Sequence, residues 1–75
     1  MGNVPVVTAR TLIAVLKKKG FRFIRSVGSH HIFVRDADQV SVSVPVHPGH
    51  DLGRGITRQI LRDAAISIEE FLRLR

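Results

Sequence analysis

The hydrophobic positions of this chain of 75 residues change their spacing several times, and each change marks an element. Residues 1–7 form a short apolar lead with Pro5, predicted to be extended. Thr8 then reads as a helix N-cap, and Ala9, Leu12, Val15 and Leu16 recur at helical spacing, with Ile13 widening the stripe. Gly20 follows Lys17-Lys18-Lys19, which supplies a stop residue and favourable charge at the helix C-terminus. The first helix is predicted over residues 8–19. Residues 21–27 carry Phe21, Phe23 and Ile24 among Arg22 and Arg25 and read as a strand. Gly28-Ser29 can turn the chain into a second strand, 30–35, with Ile32, Phe33 and Val34. Asp36-Ala37-Asp38-Gln39 is a polar turn of hairpin length. Val40-Ser41-Val42-Ser43-Val44 alternates strictly, as a half-buried strand does, and Pro45 ends its pairing.

Residues 46–53 are rich in breakers and predict a loop. Ile56, Ile60, Leu61 and Ala64 then form the apolar stripe of a second helix over 54–65. Ser67 with Glu70 three residues later makes a capping box, and Ile66 and Phe71 take the positions of a hydrophobic staple. They predict a short third helix over 68–74. The order is α-β-β-β-α plus a terminal helix. It implies one α+β domain over 1–75, with a lead of 1–7 and a core of 8–74. A three-stranded antiparallel sheet would carry its helices on one face and leave the other open.

A chain this short buries only about 60% of its unfolded surface, so there is room for no second domain. Cysteine is absent, which rules out disulfides and thiolate metal sites and fits a reducing cytoplasm. No apolar run approaches the roughly 20 residues that span a bilayer. The first seven residues lack the charged start and long apolar stretch of a signal peptide. Charge changes the picture more. Twelve Lys and Arg stand against six Asp and Glu, for a net +6. The isoelectric point is near 11.5. Such an excess favours polyanions, either nucleic acid or an acidic protein. There is no Tyr or Trp and there are only four Phe, so base stacking is not the obvious binding mode.

The candidate chemistry lies at Gly28-Ser29-His30-His31. Adjacent strand residues point to opposite faces, so one imidazole can face the helices and the other the solvent. The residue types leave open which, because Ile32, Phe33 and Val34 make both faces apolar. An imidazole titrates near pH 6.5 and can take and return a proton. Against RNA, that proton is the one on the ribose 2′-OH. Its removal lets the oxygen attack the adjacent phosphate without a metal, while Lys or Arg stabilises the phosphoryl charge. Gly28 would let a phosphate approach the backbone. A solvated or packed histidine pair is the plainer alternative. His47 and His50 flank Pro48-Gly49, with Asp51 beside them, but their spacing matches no familiar zinc pattern. His47 or His50 could assist His30 from a nearby loop. Lys17-Lys18-Lys19 and the row Arg54, Arg58, Arg62 are basic patches that could follow a phosphate backbone, meet an acidic protein or simply be solvated.

In order and spacing these segments resemble the HicA family, the RNA-cleaving toxins of HicA–HicB toxin–antitoxin pairs. The resemblance runs from about Thr8 to Leu74. It rests on Leu16-Lys17-Lys18-Lys19-Gly20-Phe21 and Gly28-Ser29-His30-His31-Ile32-Phe33, then on Val44-Pro45-Val46-His47-Pro48-Gly49. Ile60-Leu61-Arg62-Asp63-Ala64-Ala65-Ile66-Ser67 and Glu69-Glu70-Phe71-Leu72 complete it. The family's hairpin often contains a glycine where Arg35-Asp36-Ala37-Asp38 has none, and its helix start often carries a Thr that is displaced here to Thr57.

The resemblance implies a double-stranded-RNA-binding-domain-like α-β-β-β-α fold. It implies a ribosome-independent, metal-independent endoribonuclease acting on mRNA and neutralised by a HicB-like antitoxin. It makes His30 the general base and Gly28 the motif glycine, with Ser29, His31 and His47 as possible support. No cofactor and no metal are expected. The basic residues available to hold RNA are Lys17, Lys19, Arg22, Arg25, Arg54, Arg58 and Arg62. The alternative on the same fold is a non-catalytic module that binds RNA or protein. It would bind with steep salt dependence and release no cleavage products.

Overall fold

The computed structural model describes residues 3–75, so the first two residues of the expected lead lie outside the described residues. The order is β1 (Val7–Thr8), α1 (Ala9–Lys18), β2 (Phe21–Val27), β3 (His30–Arg35), β4 (Val40–Pro45), β5 (Asp51–Leu52), α2 (Arg54–Asp63) and α3 (Ile68–Leu74). The fold is α+β, with β2–β3–β4 as an antiparallel meander. The α-β-β-β-α order expected from the sequence is present.

Helix α1 begins where its cap demands. Thr8 is extended and its side chain accepts from the amide of Thr11. The helix buries Ala9, Leu12, Val15 and Leu16, the stripe seen in the sequence. It ends at Gly20, whose φ of +91° is the left-handed conformation that halts a helix.

Two short strands depart from expectation. Val7–Thr8 pairs antiparallel with Asp51–Leu52, inside the stretch predicted to be loop. A two-residue strand has no alternation to read. What fixes this pair is the burial of Val7 and Leu52, which lie opposite each other.

The register sorts the sheet into two faces, because residues directly opposite one another share a face. Phe33 lies opposite Phe23 and Val42, and His31 opposite Ser26 and Val44. Phe33, Val42 and Val44 are buried, so this is the face under the helices. Arg25–Ile32–Ser43 and Val27–His30–Pro45 line the other face, where Arg25, Val27, His30 and Ser43 are exposed. A register shift between Phe23 and Arg25 inserts Ile24 as an extra residue and sends Arg25 to that open face.

Helix α2 stops two residues short of the expected end. Ala65 N–H donates to the Arg62 carbonyl at 3.1 Å and Ile66 N–H to the Leu61 carbonyl at 2.9 Å. This is the paired pattern of a Schellman stop, with Leu61 and Ile66 both buried. The residue at its left-handed position is Ala65, with φ +58°. A Cβ there costs about 1 kcal/mol or more, against a smaller entropic loss for glycine in the unfolded chain. Ala65→Gly is expected to stabilise the domain by about 0.5–1 kcal/mol, a rise of roughly 2–8 °C in melting temperature. An unchanged or lowered melting temperature would contradict this.

In α3 only half of the predicted capping box forms. Ser67 Oγ accepts from Glu70 N–H at 3.0 Å, but the Glu70 carboxylate turns away and takes Lys19 Nζ at 2.6 Å. Lys18 Nζ also donates to the Leu74 carbonyl, so the last lysine of α1 and its C-cap Lys19 hold α3. The β3–β4 hairpin is pinned by carboxylates as well: Arg22 to Asp36 and Arg35 to Asp38, both two-pronged.

The hydrogen bonds from Arg22, Arg35 and Lys19 hold Asp36, Asp38 and Glu70 below their ordinary carboxylate range. A carboxylate whose pKa is lower folded than unfolded stabilises the fold above its unfolded pKa. That contribution is lost as pH falls through its folded pKa. Thermal stability is therefore expected to fall as pH drops below about 4, the unfolded range. Melts between pH 6 and pH 2.5 check it. Asp36→Asn with Glu70→Gln should melt with a shallower acid slope, and an equal slope would contradict the assignment.

Candidate active site

The β2–β3 hairpin closes on the pair Val27–His30, leaving Gly28 and Ser29 as a two-residue turn. Gly28 has φ +58°, as the first central residue of a type II′ turn requires. A Cβ on Gly28 would meet nothing within 4 Å. The turn itself accounts for the glycine, and the space above its backbone is open.

The turn delivers the two histidines to opposite faces. His30, the first residue of β3, is exposed on the helix-free face, between Val27 and Pro45. His31 is half-buried on the helix side, opposite Val44, with its ring 5.5 Å from that of Phe23. The choice that the residue types left open is made by the register.

The β4–β5 loop comes back to this turn. Val46 N–H donates to the Ser29 carbonyl at 2.7 Å, carrying the β3–β4 ladder past Pro45. Ser29 Oγ and His47 Nε2 lie 3.5 Å apart, at the long limit of a hydrogen bond. The rings of His47 and His50 meet edge to face at 6.5 Å. Gly28, Ser29, His30 and His47 thus gather at one end of the sheet. Among the described residues, no three His, Asp or Glu side chains converge as a metal site.

The seven basic candidates do not stand alike. Lys19 is tied to Glu70, and Arg22 is bound two-pronged to Asp36. Arg54 donates to the Val4 carbonyl at 3.0 Å. These three are engaged by the fold, so the expected ridge Arg54–Arg58–Arg62 is cut to its last two members. Lys17, Arg25, Arg58 and Arg62 are exposed and make no ion pair to another described residue. Two residues were not singled out from the sequence. Arg10 lies among the residues that line a cavity with His47 and His50. Phe23 read as one more apolar strand residue, yet it is 47% exposed beside His31. The signal for Phe23 was its place on β2, an edge strand that α1 covers only in part.

Residues 9–66 match the HicA toxin of bacterial toxin–antitoxin systems. The chain belongs to the HicA toxin family. The match takes in α1, the whole meander and α2, and ends before α3. No curated protein matches the chain. HicA membership makes it the toxin of a toxin–antitoxin pair and implies a cognate antitoxin. No helix among the described residues is long and apolar enough to cross a membrane.

Proposed function

We propose that this HicA-family toxin is a metal-independent endoribonuclease that cuts single-stranded stretches of mRNA in the cytoplasm, with His30 as its general base. The observation that carries the reading is the exposed imidazole of His30, on the helix-free face and next to the open backbone of Gly28. A neutral imidazole takes the ribose 2′-OH proton, and the 2′-oxygen attacks the adjacent phosphorus. The bond from phosphorus to the 5′-oxygen breaks. That oxygen leaves as a hydroxyl with the proton that the imidazolium returns, directly or through water, and the other fragment ends in a 2′,3′-cyclic phosphate. Arg25 lies on the same face, in the next pair along that face from Val27–His30, and is the candidate to balance charge on the phosphoryl oxygens. His47, from the adjacent β4–β5 loop, supports the turn through Ser29. Duplex RNA holds its ribose away from in-line attack, which favours single strands as substrate.

The open face that carries His30 also carries Val27, Ile32 and Val34 beside Arg25. A HicB-like antitoxin seated there would bury the imidazole and exclude RNA. The test is a cleavage assay of purified wild-type and His30→Ala protein on one defined mRNA, with and without chelator. Cleavage that survives the chelator and disappears in the variant supports the proposal. Loss of cleavage in chelator overturns the metal-free route. Salt-sensitive RNA binding with no cleavage products from wild type would support a binding module instead.

A further inference from the structure

We infer that the furrow between α1 and the sheet is a binding track for single-stranded RNA, in which one base stacks on Phe23 and His31. This inference rests on reading the chain as an RNA-binding toxin, and it concerns the face opposite His30.

Three cavities adjoin along this furrow, of about 370, 390 and 300 Å³. The first is lined by Phe23, His31 and Phe33 under Ile13 and Lys17. It shares Ile13 and Lys17 with the second, which shares Arg10 and Val46 with the third. The third reaches His47 and His50. One continuous path therefore leads from Phe23 to His47, whose ring lies against Ser29, the residue before His30.

The lining chemistry points to a polynucleotide. Phe23 lies on the helix side of the sheet but is 47% exposed. Its ring is held by Phe33, edge-on at 5.8 Å, and tilted against His31 at 5.5 Å. An aromatic ring fixed in this way and left half open offers a base a platform without costing side-chain order. Arg10 and Lys17 stand on α1 seven residues apart, which is two turns or about 10 Å along the axis. Both are exposed and neither makes an ion pair to a described residue. One carboxylate, Asp51, lines the far cavity. Cations along one wall and planar rings at one end match a strand that alternates phosphates with bases. An acidic peptide would use the cations and leave the ring platform unused. A duplex would offer no free base to stack.

The test is fluorescence anisotropy with a short 2′-O-methylated oligonucleotide, which has no free 2′-OH and cannot be cut, and with its abasic counterpart. Wild-type protein is expected to bind the intact strand on the order of tenfold to a hundredfold more tightly than the abasic one. Phe23→Leu, which keeps an apolar contact to Phe33, should lose that preference and keep its affinity for the abasic strand. Lys17→Gln should weaken both and lower the salt slope by about one. Equal affinity of wild type for the two strands overturns the inference without any variant. So does a folded Phe23→Leu that keeps the wild-type preference. Either result, alongside normal mRNA cleavage, leaves the ribonuclease reading standing. Wild type that binds neither strand and cuts no mRNA overturns both, and so does binding of acidic protein alone.

Discussion

His30→Ala is expected to give a folded protein that cuts single-stranded RNA about 10²–10⁴-fold more slowly than wild type. Two arguments set that expectation. The His30 ring is exposed and outside the core cluster, so its loss should change stability by no more than about 0.5 kcal/mol. A large fall in rate with an unchanged melting temperature would then report chemistry, not folding. The second argument is the contrast with its neighbour. His31 is half-buried against Phe23 and opposite Val44, on the face that the helices cover. A proton acceptor for a ribose must meet the ribose, and of the two adjacent histidines it is His30 that stands on the open face. His31→Ala should therefore keep more cleavage than His30→Ala, with any loss appearing as weaker RNA binding. The measurement is single-turnover cleavage of a defined mRNA by each variant, paired with thermal melts. Expression of His30→Ala should also no longer arrest growth. A folded His30→Ala that cuts at the wild-type rate would sink the assignment. If His31→Ala alone abolishes cleavage, the base belongs on the helix side.

Much of the fold was legible because its elements are long enough to show a period. The stripe Ala9–Leu12–Val15–Leu16 lies buried as its spacing requires, and so do Val42 and Val44 of the alternating strand, with Val40 half-buried against the core. The faces of the two histidines were also latent in the sequence. A four-residue turn from Asp36 to Gln39 puts Arg35 opposite Val40, and the same register puts His31 opposite Val44. Val44 belongs to the alternating apolar set, so His31 must face the helices and His30 must not. The rest was not legible, because it depends on residues far apart in sequence. Glu70 leaves its own capping box for Lys19, 51 residues away. Arg54 leaves the basic ridge for the carbonyl of Val4. The end of α2 was misplaced for a different reason. Its left-handed stop is an alanine, and the sequence signal for such a stop is glycine. The Phe23 platform escaped because an apolar residue on a strand reads as core, whereas its exposure depends on how far α1 extends over the sheet.

The second large effect lies outside the family match. Phe71→Ala is expected to cost about 3–5 kcal/mol, the range for emptying a buried phenylalanine site. Phe71 is fully buried, although α3 lies beyond the matched residues 9–66. A helix of seven residues has too few turns to persist alone. What holds it is the Ser67 cap, the contacts from Lys18 and Lys19, and the burial of Phe71 with Ile66 in the core cluster. The polar contacts reach solvent, so the apolar anchor carries most of the attachment. A domain of this length has a total stability on the order of 4–11 kcal/mol, and losing the anchor removes about a quarter of it or more. The melting temperature should fall by at least about 12 °C. Leu72→Ala, one residue on and 39% exposed, is the control and should change stability by less than about 0.5 kcal/mol. A Phe71→Ala protein that melts within a few degrees of wild type would show that α3 is an appendage. The expected loss would instead make it part of the folding unit. In that case residues 67–75 are needed to keep α1, and with it Lys17 and the furrow, in place against the sheet.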